Sequence, residues 1–245
     1  VAAGADVLIQ PEDITVTIDA IVAGVTEGRI PAARVRDAAR RILLAKARLG
    51  LTTRPTLDQS ALRATVGTPA HLAFADTVAT RGITLVRDAG RVPVARAARG
   101  ILSVTVARRP DLSAGSTFDA TLRAAGHRVR SVFIDADAAP TASYTAAFAL
   151  ADSVDAVIVS SYVAQRWDAT TIAQSRDFVD FTTRLAARPA GVTVVAFGNP
   201  YLLQQIPTVG TYLVAWSGTT AAQRAAARAL TGAASITGRL PISIP

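Results

Sequence analysis

From residue 100 onward, the chain alternates between two kinds of apolar pattern. Short runs of apolar, often β-branched residues are separated by stretches in which apolar residues recur at helical spacing. The predicted strands are Ile101–Val106, Val129–Ile134, Ala156–Ser160, Val192–Phe197 and Tyr212–Ala215. The predicted helices are Ser116–Ala125, Ser143–Ala151, Thr170–Ala187 and Thr219–Leu230. This alternation predicts a doubly wound, mainly parallel α/β sandwich whose sheet is covered on both faces.

The first fifty residues follow a different pattern. Residues 1–11 are predicted to form a buried strand and its exit loop, and two amphipathic helices are predicted over residues 14–27 and 31–49. Thr, Pro, Asp and Gln residues then make a polar connector over residues 51–68, which indicates a boundary between two units. A further helix and a short strand are predicted at Pro69–Arg81 and Gly82–Val86.

Composition supports a globular chain. Apolar residues make up 50% and charged residues 18% of the 245 positions, which suits a substantial core and argues against disorder. No apolar run reaches the ~20 residues of a membrane-spanning helix. The absence of cysteine excludes disulfides and thiolate metal sites, and His71 and His127 lack ligand spacing, so no metal or cofactor is expected. The chain also contains no methionine, so Val1 is not a natural start, and we expect a piece of a longer protein.

The net charge of +8 raises the question of nucleic-acid binding. Nearly all the basic residues are arginines, and they are dispersed along helix faces, as at Arg34, Arg36, Arg40 and Arg48. No aromatic–basic stripe accompanies them, since aromatic residues make up only 5% of the chain. The charge therefore indicates solvated helix faces, and no nucleic-acid partner is expected.

The best candidate ligand cluster directly follows a predicted strand, over residues 160–168. Ligands bind to open α/β sheets beyond the carboxyl ends of the strands. Tyr162 and Trp167 are candidates for stacking on a sugar face, and Arg166 and Asp168 for bonding its hydroxyl groups. The alternative is a solvent loop whose aromatic side chains pack against a neighbouring domain. Residues 198–201, after the next strand, are predicted to form a tight structural turn.

Several other site types lack their sequence signals. No Gly-x-Gly-x-x-Gly follows the first sandwich strand and no P-loop is present, which argues against a flavodoxin-like nucleotide-binding domain. The Ser217 segment lacks the leading glycine of a nucleophile elbow, and neither histidine has a suitable context, which argues against a serine hydrolase.

Motifs at both ends of the chain resemble family 3 glycoside hydrolases. Near the N-terminus these are Ala3–Leu8, Gly28–Ile30, Arg41–Lys46 and Leu49–Gly50; near the C-terminus they are Phe197–Leu203, the helix Gln223–Thr231 and Gly238–Pro241. Their order resembles the end of the family's catalytic barrel followed by its α/β sandwich domain. The resemblance implies a terminal β/α unit of the barrel at residues 1–50, a linker and connecting helix at 51–82, and the sandwich at 83–245.

The resemblance also implies where the chemistry lies. A retaining glycosidase needs two carboxyl-type groups about 5 Å apart, and in this family the nucleophile is an aspartate on a barrel loop that would precede Val1. Asp6 is interpreted as structural. Many two-domain members take a glutamate acid/base from the sandwich, but here the only glutamates are Glu12 and Glu27.

That departure favours a bacterial β-N-acetylhexosaminidase-like enzyme, which uses an upstream Asp–His pair, over a β-glucosidase. The alternative is that an aspartate of the sandwich serves as the acid/base in place of the glutamate. The chain is expected to act on carbohydrate with the upstream barrel, without a membrane span, and to be inactive alone. An extracytoplasmic location is favoured. The alternative function is a non-catalytic carbohydrate-binding or scaffold module.

Overall fold

A computed structural model describes residues 1–53, 58–95, 100–109, 111, 113–138, 141–162 and 173–244, apart from the Arg63 side chain. The chain divides into two compact units, Val1–Thr65 and Val66–Pro245. The division falls inside the segment that the sequence assigns to a linker. The assignment of residues 1–50 to a barrel remnant stays a prediction.

The first unit is helical. Its helices are α1 (Ile14–Thr26), α2 (Ala32–Arg48) and α3 (Gln59–Thr65), with a 3₁₀ turn at Leu51–Thr53. The Asp13 side chain begins α1 by accepting the Val16 N–H at 2.9 Å. The two long helices predicted for this region are therefore confirmed to within a few residues.

The strand predicted within residues 1–11 is wrong. Residues 1–11 carry no strand, and Val7 and Ile9 are 60% and 85% exposed. A strand exists only where neighbouring strands satisfy its backbone N–H and C=O groups. None of the six strands in the described part of the chain pairs with this segment, because all of them belong to the second unit's sheet.

The second unit is built on a six-stranded sheet. Its strands are β1 (Thr84–Arg87), β2 (Ile101–Ala107), β3 (Val129–Asp135), β4 (Ala156–Ser161), β5 (Thr193–Ala196) and β6 (Thr211–Val214). They lie in the order β1-β6-β5-β4-β2-β3, and every pairing is parallel except that of β1 with β6.

Two layers of helices cover the sheet. The helices are α4 (Pro69–Gly82), α5 (Ser116–Ala124), α6 (Thr141–Leu150), α7 (Arg176–Ala186) and α8 (Thr220–Leu230). Helices α6 and α7 pack on one face, and α4, α5 and α8 pack on the other. All seven residues of β2 are buried as a result, which explains its uninterrupted apolar run. The predicted doubly wound α/β sandwich is confirmed.

The C-terminal segment closes one edge of this sheet. From Ala234 to Ile244 the residues alternate between half-buried and exposed. Ile236 packs on one core, and Leu240 and Ile244 pack on the other. Between them the Gly238 N–H donates to the Ile83 carbonyl at 3.1 Å, beside edge strand β1. Covering an edge in this way protects it from pairing with other chains.

Across the described residues, we find no helix that is both long and apolar enough to cross a membrane.

Candidate functional site

The carboxyl edge of the sheet is where its topology places a ligand site. Strand β2 has β3 on one side and β4 on the other, so the chain reverses its direction of winding there. The carboxyl ends of strands flanking such a switch point are where open α/β sheets bind ligands. Of the predicted site residues, Tyr162 lies directly after β4. Arg166, Trp167 and Asp168 lie outside the described residues.

Tyr162 is built into the core at this edge. The residue is 8% exposed, and its ring stacks on Phe197 with centroids 4.4 Å apart and planes 8° apart. Its hydroxyl accepts the Gly115 N–H at 3.0 Å, and its own N–H donates to the Val106 carbonyl at 2.9 Å. Burial raises the pKa of the Tyr162 phenol above its ordinary value. These contacts hold the loop after β2 against the end of β4, and stacking of this ring on a sugar stays a prediction.

Gln223 of α8 links three backbone groups near this edge of the sheet. The residue is 1% exposed on α8. Its Oε1 accepts the N–H of Phe118, in the first turn of α5, at 3.3 Å. Its Nε2 donates to the carbonyls of Ser113 and Gly218 at 3.2 and 2.9 Å. The start of α5 is where a phosphate would be held in a nucleotide-binding sheet, and here a protein amide occupies part of it.

Tyr162 was predicted as a site residue because it follows a predicted strand, whereas Gln223 was not predicted. The one available signal is a polar residue on the alanine-rich face of α8, where Ala222, Ala226 and Ala229 are buried.

We expect Tyr162→Phe to lower the free energy of unfolding by about 1–2 kcal/mol, because it leaves the Gly115 N–H without its partner while keeping the ring. Urea unfolding followed by tryptophan fluorescence measures the change, since Trp167 and Trp216 both belong to the second unit. Tyr201→Phe is the matched control, because Tyr201 is 38% exposed. Equal losses in the two variants would contradict a structural role for the Tyr162 hydroxyl.

The described carboxylates after the first strands of this edge are engaged by neighbouring groups. Asp137, after β3, pairs with Arg108 at 2.7 Å, and Asp135, the last residue of β3, pairs with Arg109 at 3.5 Å. After β2, Asp111 accepts the Ser113 hydroxyl at 3.1 Å. Within the described ranges no cluster of three or more His, Cys, Asp or Glu side chains could hold a metal ion.

The turns after β5 and β6 are shaped by local hydrogen bonds. The Asn199 side chain accepts the Tyr201 N–H at 2.9 Å and begins a 3₁₀ turn, which confirms the predicted structural turn. After β6, Trp216 has φ +65°, and the Ser217 N–H donates back to the Ala215 carbonyl at 2.8 Å. A positive φ is strained for a bulky residue. The Trp216 indole N–H donates to the Gly82 carbonyl at 2.8 Å, which anchors the turn.

In the first unit, the carboxylate of Asp6 makes contacts that fit a structural role. It pairs with Arg34 and Arg41 of α2, each at 2.8 Å. The Arg34 hydrogen bond, with Arg41 contributing, holds the pKa of Asp6 below its ordinary value. The carboxylate thus ties the N-terminal segment to α2.

Comparison with known proteins gives a consistent result. Residues 10–245 match the family model described as "Glycosyl hydrolase family 3 C-terminal domain". A curated β-N-acetylglucosaminidase/β-glucosidase from Cellulomonas fimi is 24% identical, over 99% of this chain and 44% of its own length. The chain thus spans less than half of that relative.

Solved structures show the same fold. A family 3 β-N-acetylglucosaminidase from Paenibacillus sp. str. FPU-7 superimposes with a TM-score of 0.73 at 24% identity, over 92% of this chain and 42% of its own. The β-glucoside phosphorylase BglX gives 0.69 at 25% identity, over 99% and 44%. A β-glucosidase from Listeria innocua gives 0.69 at 20% identity, over 91% and 34%.

Proposed function

Because this chain belongs to the glycosyl hydrolase family 3 C-terminal domain family, we propose that it is the C-terminal part of a retaining β-glycosidase that removes terminal β-linked sugars. N-acetylglucosaminides are the preferred substrates over glucosides. Both catalytic groups come from a barrel outside this chain, and the chain alone is inactive.

The absence of glutamate from the second unit carries this proposal. The only glutamates are Glu12 and Glu27, both in the first unit. A retaining mechanism needs a nucleophile and an acid/base about 5 Å apart, placed on either side of the glycosidic bond. The described aspartates at the end of β3 and in the segments after β2 and β3 interact with a serine hydroxyl and two arginines. The sandwich therefore offers no glutamate acid/base, and a barrel-borne pair is favoured.

Two observations support the substrate preference: the absence of glutamate from the second unit, and the names of the relatives. The Cellulomonas fimi relative is named for both N-acetylglucosaminidase and glucosidase activity, and the Paenibacillus structure for the former. An acid/base that does not come from the sandwich separates this chain from the arrangement expected of a β-glucosidase.

Hydrolysis of 4-nitrophenyl glycosides by the purified chain, and by the longer protein that contains it, tests the proposal. We expect no turnover by the chain, and faster cleavage of the N-acetyl-β-glucosaminide than of the β-glucoside by the longer protein. Turnover by the chain would contradict its proposed inactivity. A preference of the longer protein for the glucoside would contradict the proposed substrate preference. An inactive longer protein would favour the non-catalytic module.

Phosphorolysis is a second candidate for the overall reaction, because one relative of similar fold is named a β-glucoside phosphorylase. In that case inorganic phosphate, and not water, would release the sugar from the enzyme. Repeating the assay of the longer protein with added phosphate distinguishes the two, since only phosphorolysis yields a sugar 1-phosphate.

A further inference from the structure

A groove runs between helices α6 and α7 on the face of the sandwich that these helices cover. Its volume is about 360 Å³, within the range of small-molecule sites. Its lining combines hydroxyl, carboxylate, guanidinium and aromatic groups from Thr141, Tyr144, Thr145, Asp177, Asp180, Phe181, Thr183 and Arg184. Nothing in the proposed glycosidase reaction uses this groove.

The floor of the groove contains an unsatisfied polar group. The rings of Tyr144 and Phe181 lie 5.3 Å apart, and the two residues are 4% and 2% exposed. The Tyr144 hydroxyl is buried without a hydrogen bond of ordinary geometry, although Ser175 lies near it. Burial raises the pKa of Tyr144, the Ser175 hydroxyl offsets part of this, and the Asp177 carboxylate adds to it. An unsatisfied buried hydroxyl is unusual in a folded protein, and this one lies beneath the groove.

The rim combines hydrogen-bond acceptors and donors. Asp177 and Asp180 are three residues apart on α7 and so project from one side of that helix. The Thr141 hydroxyl of α6 donates to Asp177 at 2.8 Å, which orients that carboxylate across the groove. Arg184 is four residues beyond Asp180, but its guanidinium lies 4.0 Å from the centre of the Phe148 ring.

This combination selects the chemistry of the ligand. Carboxylates only accept hydrogen bonds, guanidinium groups only donate them, and hydroxyl groups do both. A phosphate or sulfate would meet two carboxylates, and a metal ion would meet a guanidinium and only two anionic ligands. Neighbouring hydroxyl groups of a neutral sugar satisfy all three kinds of side chain at once. We propose that the α6–α7 groove binds a neutral hexopyranose unit through adjacent hydroxyl groups, with Asp180 and Asp177 as the acceptors.

Titration of the ¹⁵N-labelled chain with cellobiose, and separately with N,N′-diacetylchitobiose, tests this proposal. We expect amide shifts confined to α6 and α7, and a dissociation constant raised about tenfold or more by Asp180→Asn, because a charged acceptor is lost. Asp37→Asn on exposed α2 makes the same change of charge in the other unit and should leave the dissociation constant unchanged.

Three results would overturn the proposal: no shifts in α6 or α7 at saturating disaccharide, an unchanged dissociation constant in Asp180→Asn, or calcium chloride producing the same shifts and blocking the sugar. A melting curve for Asp180→Asn that matches the parent chain shows that the variant is folded. Because binding is read without turnover, an inactive longer protein would defeat the proposed glycosidase function and leave this inference standing.

Discussion

Replacing Gly238 by alanine should lower the free energy of unfolding by about 3 kcal/mol, the upper part of the usual range for overpacking a filled site. A Cβ atom at this position would lie 2.5 Å from the Ile83 carbonyl oxygen, 2.7 Å from Thr84 Oγ1 and 2.8 Å from the Gly82 carbonyl oxygen. Two of these three atoms are backbone and cannot rotate away. Relief requires the C-terminal segment to move off the edge of β1, with loss of the Gly238 N–H hydrogen bond to Ile83.

Urea unfolding monitored by tryptophan fluorescence measures this loss, and Gly100→Ala is its control. The nearest atom to a Cβ at Gly100 is 3.5 Å away, an ordinary contact, and neither glycine has a positive φ. The two substitutions therefore differ mainly in the space available. We expect a loss below about 1 kcal/mol for Gly100→Ala, and similar losses in both variants would show that the close approach at Gly238 is not what the fold depends on.

The close approach at Gly238 gives a physical reason for the Gly238–Pro241 motif. In the sequence, Gly238–Pro241 contributed only to a family resemblance and carried no physical reason. In the structure the glycine lets the backbone pass close to residues 82–84, and Leu240 then packs into the core on the far face. The motif is thus explained by its role in covering the edge of the sheet.

The sandwich was predictable because its signals are local. Burial on both faces produces continuous apolar strands such as β2. Helix boundaries were less exact: the helix predicted from Thr170 begins at Arg176 in the described structure, where the Ser175 side chain caps it. The strand predicted within residues 1–11 is wrong because a run of apolar residues resembles a buried strand whether or not partner strands are present. A strand needs partners, and periodicity cannot reveal whether a chain contains them.

Side-chain roles at the carboxyl edge were less predictable because they depend on distant contacts. Tyr162 was found by its position after β4, but its burial follows from Phe197 and Gly115, which lie 35 and 47 residues away along the chain. Gln223 bonds residues 105 and 110 positions away. No local pattern encodes such pairs, so the sequence could locate this edge without showing that core packing occupies much of it.

The largest loss is expected at the loop that Tyr162 and Gln223 hold. Gly115 has φ +78°, and an added Cβ would lie 2.2 Å from Thr105 Oγ1. Thr105 belongs to central strand β2 and is 4% exposed, so it has little room to yield. Gly115→Ala should therefore cost about 4 kcal/mol, about 1 from the left-handed backbone and about 3 from the collision.

Two further variants separate these contributions in the same unfolding assay. Gly90 has the same φ of +78° with no atom within 4 Å of an added Cβ, so Gly90→Ala should cost only about 1 kcal/mol. Thr105→Ala removes the Oγ1 and Cγ2 atoms that collide with the added Cβ. The double variant Gly115→Ala/Thr105→Ala should therefore lose about 2 kcal/mol less free energy of unfolding than the sum of the two single variants. Some strain remains, because Thr105 Cβ would itself lie 3.1 Å away. Additive losses in the double variant would mean that the cost arises from the backbone conformation alone, and that the fit between this loop and β2 does not hold the carboxyl edge closed.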